Sequence, residues 1–228
     1  MTNVLITGAN RGLGLGFVKS FLAKNANVIC TTRNISGSPE LLECKKKCPN
    51  NIEVLELDLL KENSGNTLSD LLSDKPIDIL INNAGVGNSN QQFGSVSSKP
   101  WVELLKVNLI APLMITQSII ENVKKSSGKK IYFLSSQLGS IEENASGGMY
   151  IYRSSKASLN QVVKSLSVDL KQYGITVVSL HPGWVKTDMG GPNAPVSIEE
   201  SIEGMMKVIK ATDIRDTGRF LNYDGREL

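Results

Sequence analysis

The chain has 228 residues, with 25 Lys and Arg against 22 Asp and Glu for a formal charge of +3, and 40% of it is hydrophobic against 21% charged. That is too apolar for disorder, no apolar run approaches the roughly 18 residues of a membrane span, and the near-balanced charge offers no electrostatic grip on nucleic acid or anionic lipid. One domain spanning residues 1–228 is expected, because single domains run to roughly 250 residues and a body of this size buries about 70% of its extended surface without disulfides or metal.

The start, from Met1 to Gly8, lacks the basic region and apolar core of a secretory signal. Three cysteines, Cys30, Cys44 and Cys48, are an odd number without scaffold spacing, so a reducing cytoplasm is the expected location. A single histidine, His181, excludes any HExxH or His-rich metal cluster, and no metal is expected.

In chain order, Val4–Thr7 reads as a strand, followed by a Gly-rich turn and a helix through about Lys24. Val28–Thr31 is a second strand, and Ser38-Pro39 offers an N-cap and a first-turn proline for a short helix ending near Pro49. Ile52–Leu57 is a third strand. Ile77–Ile81, Ile131–Leu134 and Ile175–Leu180 are almost continuously apolar, as strands covered on both faces must be. Long helices are expected over Pro100–Lys124, Met149–Gln172 and Ile198–Lys210, and a last strand over Gly218–Asn222. This alternation implies an α/β fold: one doubly wound parallel sheet of about seven strands with helices on both faces. The loops Gly85–Ser98 and Gly183–Pro195 follow strands, and loops at the strands' C-terminal ends form the ligand crevice of such a sheet.

Thr7-Gly8-Ala9-Asn10-Arg11-Gly12-Leu13-Gly14 joins the first strand to the first helix. Its glycines let the backbone turn sharply and let a diphosphate approach the unpaired N–H groups of the helix start. The spacing Gly-x-x-x-Gly-x-Gly differs from the common dinucleotide fingerprint. Alone it supports a nucleotide and little more: a tight turn without ligand is the lesser reading, and a methyltransferase binding an adenosyl cofactor could carry a similar turn.

Tyr152 and Lys156 stand four apart on a helix, which places both on one face about 5–6 Å apart at Cβ. A phenol near pKa 10 is a poor acid–base group at neutral pH. An ammonium beside it, with a second cation nearby, would favour the phenolate, and a shift of three units needs about 4 kcal/mol. Tyr150 is expected to line the same pocket. Ser135-Ser136 ends the fifth strand, and Ser136, nearer the crevice, is the better donor to a carbonyl oxygen. Asn82-Asn83-Ala84-Gly85 ends the fourth strand with small residues that let a ring approach the backbone. Four residues after Asn108, Pro112 lacks an N–H, so the Asn108 carbonyl loses its helical partner. That carbonyl either faces the crevice and holds a water, or belongs to an ordinary kink solvated from outside.

With these residues in this order the chain resembles the short-chain dehydrogenases/reductases over essentially its whole length. The stretch from Ser135 to Asn160 is similar to the carbonyl-reductase branch that includes sniffer-type reductases and C-factor. The resemblance implies that Tyr152 protonates the carbonyl oxygen, that Lys156 lowers its pKa and binds the nicotinamide ribose, that Ser136 polarises the carbonyl, and that Asn108 holds a relay water. It implies a dinucleotide held by Gly8, Asn10, Arg11, Gly12, Leu13, Gly14, Arg33, Asp58, Leu59, Asn83, Ala84, Gly85, Tyr152, Lys156, Pro182, Gly183, Val185 and Thr187. Asp58 would sit near the adenine, Asn83 near its ribose, and Pro182, Gly183 and Thr187 beside the nicotinamide.

NADPH is the expected cofactor. The end of the second strand, Cys30-Thr31-Thr32-Arg33-Asn34, carries no acidic residue for a 2′-hydroxyl, whereas Arg33 and Arg11 could fork onto a 2′-phosphate. Substrates would be small-molecule aldehydes, ketones or quinones. Ser136 and Tyr152 stand sixteen positions apart, farther than is usual in the family. The short segment after Gly183 implies an open pocket. A homodimer is expected, since Leu104, Leu105, Ile115, Ile119, Leu159, Val162, Val163 and Leu166 are more apolar surface than one sheet face covers. The intact Tyr–Lys–Ser set disfavours a non-catalytic dinucleotide sensor, and a methyltransferase would not need it. Cys44-Lys45-Lys46-Lys47-Cys48 reads as a solvated basic helix, and His181 as a structural hydrogen-bonding residue.

Overall fold

The computed structural model describes residues 1–87 and 92–228. Seven strands form one parallel sheet: β1 Asn3–Ile6, β2 Asn27–Thr32, β3 Ile52–Glu56, β4 Ile79–Asn82, β5 Lys130–Leu134, β6 Thr176–His181 and β7 Phe220–Asn222. Their order is β3-β2-β1-β4-β5-β6-β7. The order reverses between β1 and β4, and a crevice opens beyond the strand ends at such a point. The doubly wound parallel sheet expected from the alternation is the fold observed.

Helices α1 Gly12–Leu22, α2 Pro39–Lys47 and α8 Ile198–Ala211 cover one face, where Phe17, Val18, Phe21, Leu41, Met205 and Ile209 meet Val4, Ile6, Val28 and Val178. Helices α3 Ser64–Leu72, α4 Ser98–Leu105, α5 Ala111–Ser118, α6 Ile120–Lys124 and α7 Tyr150–Asp169 cover the other, around Leu5, Leu80, Ile131, Phe133 and Val177. Alternate residues of each strand thus enter opposite cores, which explains runs with no polar side.

Two elements depart from the sequence reading. Helix α3 was not expected there. The long helix over Pro100–Lys124 is broken: Lys106–Ile110 forms a π-helical turn between α4 and α5, with Ala111 N–H donating to Lys106 O. Such single π turns relieve a mismatch inside a helix, and here Pro112 follows at once, with no N–H to continue the α pattern.

The apolar surplus invoked for a dimer is taken up inside one copy. Leu104, Ile115, Ile119, Leu159 and Val163 are buried, and Leu105, Val162 and Leu166 are half-buried. Helix α3, packed on α5 and contributing Leu68 and Leu72 to the same core, supplies cover that the sequence reading had not counted.

Candidate active site

The crevice is a cleft of about 1100 Å³ beyond the C-terminal ends of the central strands. Its first wall is the turn from β1 into α1. Gly8 has φ +66°, and a Cβ there would stand 2.9 Å from the Cα and Cβ of Ala84. At Gly14 a Cβ would meet the Gly8 carbonyl oxygen at 2.3 Å. Both positions therefore exclude any side chain. Asn83 ties the turn down, its amide donating to Thr7 O and Gly8 O, each at 2.9 Å. From β2, Thr31 O accepts from Ala9 N–H at 2.9 Å. The cradle is rigid, and the N–H groups at the start of α1 face it with no helical acceptor.

The second wall comes from β5 and α7. Lys156 is 5% exposed and donates from Nζ to Leu134 O at 2.8 Å. Burial pushes its ammonium down to about 8. Its Nζ lies 5.8 Å from the centre of the Tyr152 ring. Burial raises the Tyr152 phenol above its ordinary value, and a hydrogen bond with the Ser136 hydroxyl opposes that rise. Ser136 is thus the neighbour that favours the phenolate in the cofactor-free chain.

Ser135 and Ser136 point opposite ways at the end of β5. Ser135 Oγ donates to Asn160 Oδ1 at 2.7 Å, while Ser136 Oγ accepts from Leu138 N–H at 3.2 Å and bonds to Tyr152. The long Ser136–Tyr152 spacing leaves that contact intact because the extra residues, Ile141–Gly147, form an exposed loop. Tyr150, expected to line the pocket, is exposed with its ring 6.4 Å from that of Phe93, and neither it nor Ser136 is among the residues that line the cleft directly, whereas Ser135 is.

Asn108 lies behind this wall in the π turn and is completely buried, so its carbonyl is not solvated from outside. Its side chain clamps the loop after β4, accepting from Val86 N–H at 2.8 Å and donating to Val86 O at 2.9 Å.

All the residues expected at a dinucleotide line the cleft except Gly183 and Val185. Gly183 packs under the Tyr223 ring, and Val185 is buried and bridged to Val196. Arg33 is exposed on the cleft rim with no hydrogen-bond or ion-pair partner among the described residues. Arg11 is paired across the cleft with Asp188 at 2.5 Å. The segment after β6 therefore reaches across the rim of the crevice at this pair.

Sequence reasoning missed Asp188, Met189 and Lys186 on this wall, and the Leu134 carbonyl that holds Lys156. Asp188 and Lys186 were visible as charges in a loop already marked; a backbone carbonyl leaves no signal. His181 has its Nδ1 buried without a partner among the described residues, and burial pushes its pKa down to about 4.

A parallel sheet with this turn and a Tyr–Lys–Ser wall belongs to one class, and comparison with known proteins shows the same. The family model for short chain dehydrogenases matches residues 2–195, so the chain belongs to that family and with it to the NAD(P)-dependent oxidoreductases. Over 153 residues it is 39% identical to the C-signal protein of Myxococcus xanthus, covering 67% of this chain and 92% of that protein. Among solved structures it is similar to the carbonyl reductase Sniffer of D. melanogaster, with a TM-score of 0.95, 38% identity and 100% and 99% of the two chains covered. An NADPH-bound carbonyl reductase from chicken fatty liver superposes with a TM-score of 0.93 and 35% identity, covering 100% and 98%.

Proposed function

We propose that this protein is an NADPH-dependent carbonyl reductase acting on aldehydes, ketones or quinones. The observation that carries the reading is the Tyr152 hydroxyl, hydrogen-bonded to Ser136 on the wall of a cleft that also holds Lys156. The cleft fits a dinucleotide. Its glycine cradle excludes side chains where a diphosphate would approach, helix N–H groups face it, and Arg11 and Arg33 stand where an acidic residue would otherwise select the bare ribose. The bound nicotinamide supplies the hydride.

The chain's own residues supply the rest. Ser136 donates to the substrate oxygen and fixes it beside Tyr152. Tyr152, kept neutral by burial, transfers its proton to that oxygen as negative charge develops. Lys156, fixed by Leu134 O, stabilises the phenolate left behind and grips the ribose. Asn108 holds the β4 loop and the water through which Tyr152 regains its proton.

The unpaired thiols of Cys30, Cys44 and Cys48 support a reducing, cytoplasmic location. That one sheet draws strands from Asn3 to Asn222 supports a single domain. A pairing of two copies rests on the narrower stripe of exposed Val102, Ile110 and Met114 on α4, the π turn and α5. Light scattering at micromolar concentration decides it, since a monomeric mass would reject the pair.

The test of the function is a panel of carbonyls and quinones with each reduced dinucleotide, followed by dinucleotide absorbance. Turnover with NADPH is expected. Tight cofactor binding with no turnover across the panel would favour a sensor.

A further inference from the structure

The segment between β6 and α8 is bonded to itself. At its base Val185 bridges Val196, with Lys186 N–H donating to Val196 O at 2.9 Å and Val196 N–H to Trp184 O at 3.1 Å. Nearer the tip, Gly190 N–H donates to Thr187 Oγ1 at 3.1 Å, Gly191 N–H to Thr187 O at 2.8 Å, and the Trp184 indole to Gly190 O at 2.7 Å. These bonds tie base and tip of the segment into one unit.

Its tip crosses to the far wall. The Thr187 methyl lies 3.6 Å from the point where a Cβ of Gly12 would stand, and Met189 Cγ lies 3.1 Å from the same point at Gly87. Between them Asp188 Oδ2 meets Arg11 Nη1, the one ion pair made by this segment among the described residues.

We infer that Asp188 is a positioning residue for the cofactor: acting through Arg11, it ties the tip over the dinucleotide and sets how long the dinucleotide stays. This rests on the reading of the cleft as the dinucleotide site. A guanidinium has five N–H donors and Asp188 takes one, so Arg11 can hold the carboxylate and a phosphate oxygen together. The two side chains are 67% and 75% exposed. An exposed pair is weak and screened by salt. Such a tie suits a closure that must open once in every turnover, where a buried pair would trap the product.

The experiment is stopped-flow release of NADPH and of NADH, followed by tryptophan fluorescence, from wild type, Asp188→Asn and Asp188→Glu. Asp188→Asn is expected to release both cofactors about two- to fivefold faster, the range an exposed ion pair supports. Asp188→Glu should stay near wild type. Salt at 0.5 M screens the arginine–phosphate contacts as well and should speed release from both, but by a larger factor from wild type than from Asp188→Asn. The thermal midpoint of the cofactor-free Asp188→Asn protein should match that of wild type, because an exposed pair contributes little to the fold. Release that is unchanged or slower overturns the inference. So does faster release of NADPH alone, which would make Asp188 a modulator of the 2′-phosphate contact and not a tie. A parallel fall in the cofactor-free thermal midpoint would mark general damage and overturn it as well. Whether Arg11 reads the 2′-phosphate is judged separately, by the NADPH and NADH affinities of Arg11→Ala; failure there leaves the NADH release rate of Asp188→Asn to decide the tie.

Discussion

Lys156 has its ammonium in a place where burial alone sets the pKa, at about 8 against an ordinary 10.5. Between those values the unfolded chain holds a proton that the folded chain gives up, so this group makes the cofactor-free protein less stable as pH falls from 10.5 towards 8, with no further loss below. An anionic dinucleotide laid against Lys156 restores the charged form. Binding above pH 8 should therefore take up a proton and weaken as pH rises. Calorimetry at pH 8.5 in two buffers of different ionisation enthalpy reads the uptake directly, and Lys156→Met should abolish it; equal heats in both buffers would remove Lys156 from the ribose site. At Tyr152 the expectation is a loss of turnover of about a hundredfold or more on substitution by Phe, the scale of a positioned general acid, with NADPH affinity nearly unchanged. Near-normal turnover would send the search for the acid elsewhere. Arg33 has no partner to lose among the described residues, so Arg33→Ala should weaken NADPH by about ten- to a hundredfold, as removal of a charge-assisted hydrogen bond does, and leave NADH alone. Equal losses for the two cofactors in a titration would show that it does not read the 2′-phosphate.

The π turn is where element and site meet. Asn108 faces inward from it and satisfies both the N–H and the C=O of Val86, whose loop forms part of the cleft. Replacing Asn108 by Ala strands both groups, at about 1–3 kcal/mol for the pair since Val86 is only partly buried. Urea unfolding should show that loss, and NADPH affinity should fall with it; unchanged stability would mean that the loop holds its shape unaided. Nothing in the residues from Lys106 to Ile110 announces a π turn. Pro112 marked a lost hydrogen bond, yet its consequence depends on how α4 and α5 lie on α7. Helix α3 was equally hard to read, because Ser64-Gly65-Asn66-Thr67 holds no strong helix former. Its Gly65 is explained only by the neighbour: a Cβ there would come within 3.1–3.3 Å of Ser118 and of the Met114 carbonyl. The strands were legible because burial on both faces writes itself as unbroken Val, Ile and Leu. Tyr152, Lys156 and Ser136 were legible because their spacing falls on elements of known direction. The Arg11–Asp188 pair joins residues 177 positions apart and has no local signature at all.

Across the whole molecule the cleft draws on both halves of the sheet: the turn after β1 and the end of β2 on one side, the end of β5, α7 and the segment after β6 on the other. No single element lines the cleft, so a bound dinucleotide adds a further link between parts that already meet through the central strands, the packing of α1 on α8 and the Arg11–Asp188 pair. Binding confined to the folded state stabilises it by about 2.7 kcal/mol at a hundred times the dissociation constant. For a chain of this size each kcal/mol moves the midpoint by about 2–4 °C, so saturating NADPH should raise the thermal midpoint by about 5–11 °C. NADH at the same concentration lacks the phosphate that Arg11 and Arg33 would grip. If those contacts make its dissociation constant ten to a hundred times larger, the same concentration is only one to ten times that constant, and its stabilisation falls to about 0.4–1.4 kcal/mol, a midpoint shift of about 1–6 °C. Differential scanning fluorimetry with both cofactors, on wild type and on the Arg11→Ala/Arg33→Ala double variant, separates the contributions. In the double variant the two shifts should converge on the smaller value. A shift by NADPH that persists undiminished there would show that the dinucleotide is held by the cradle alone, and the assignment of cofactor preference to the two arginines would have to be abandoned.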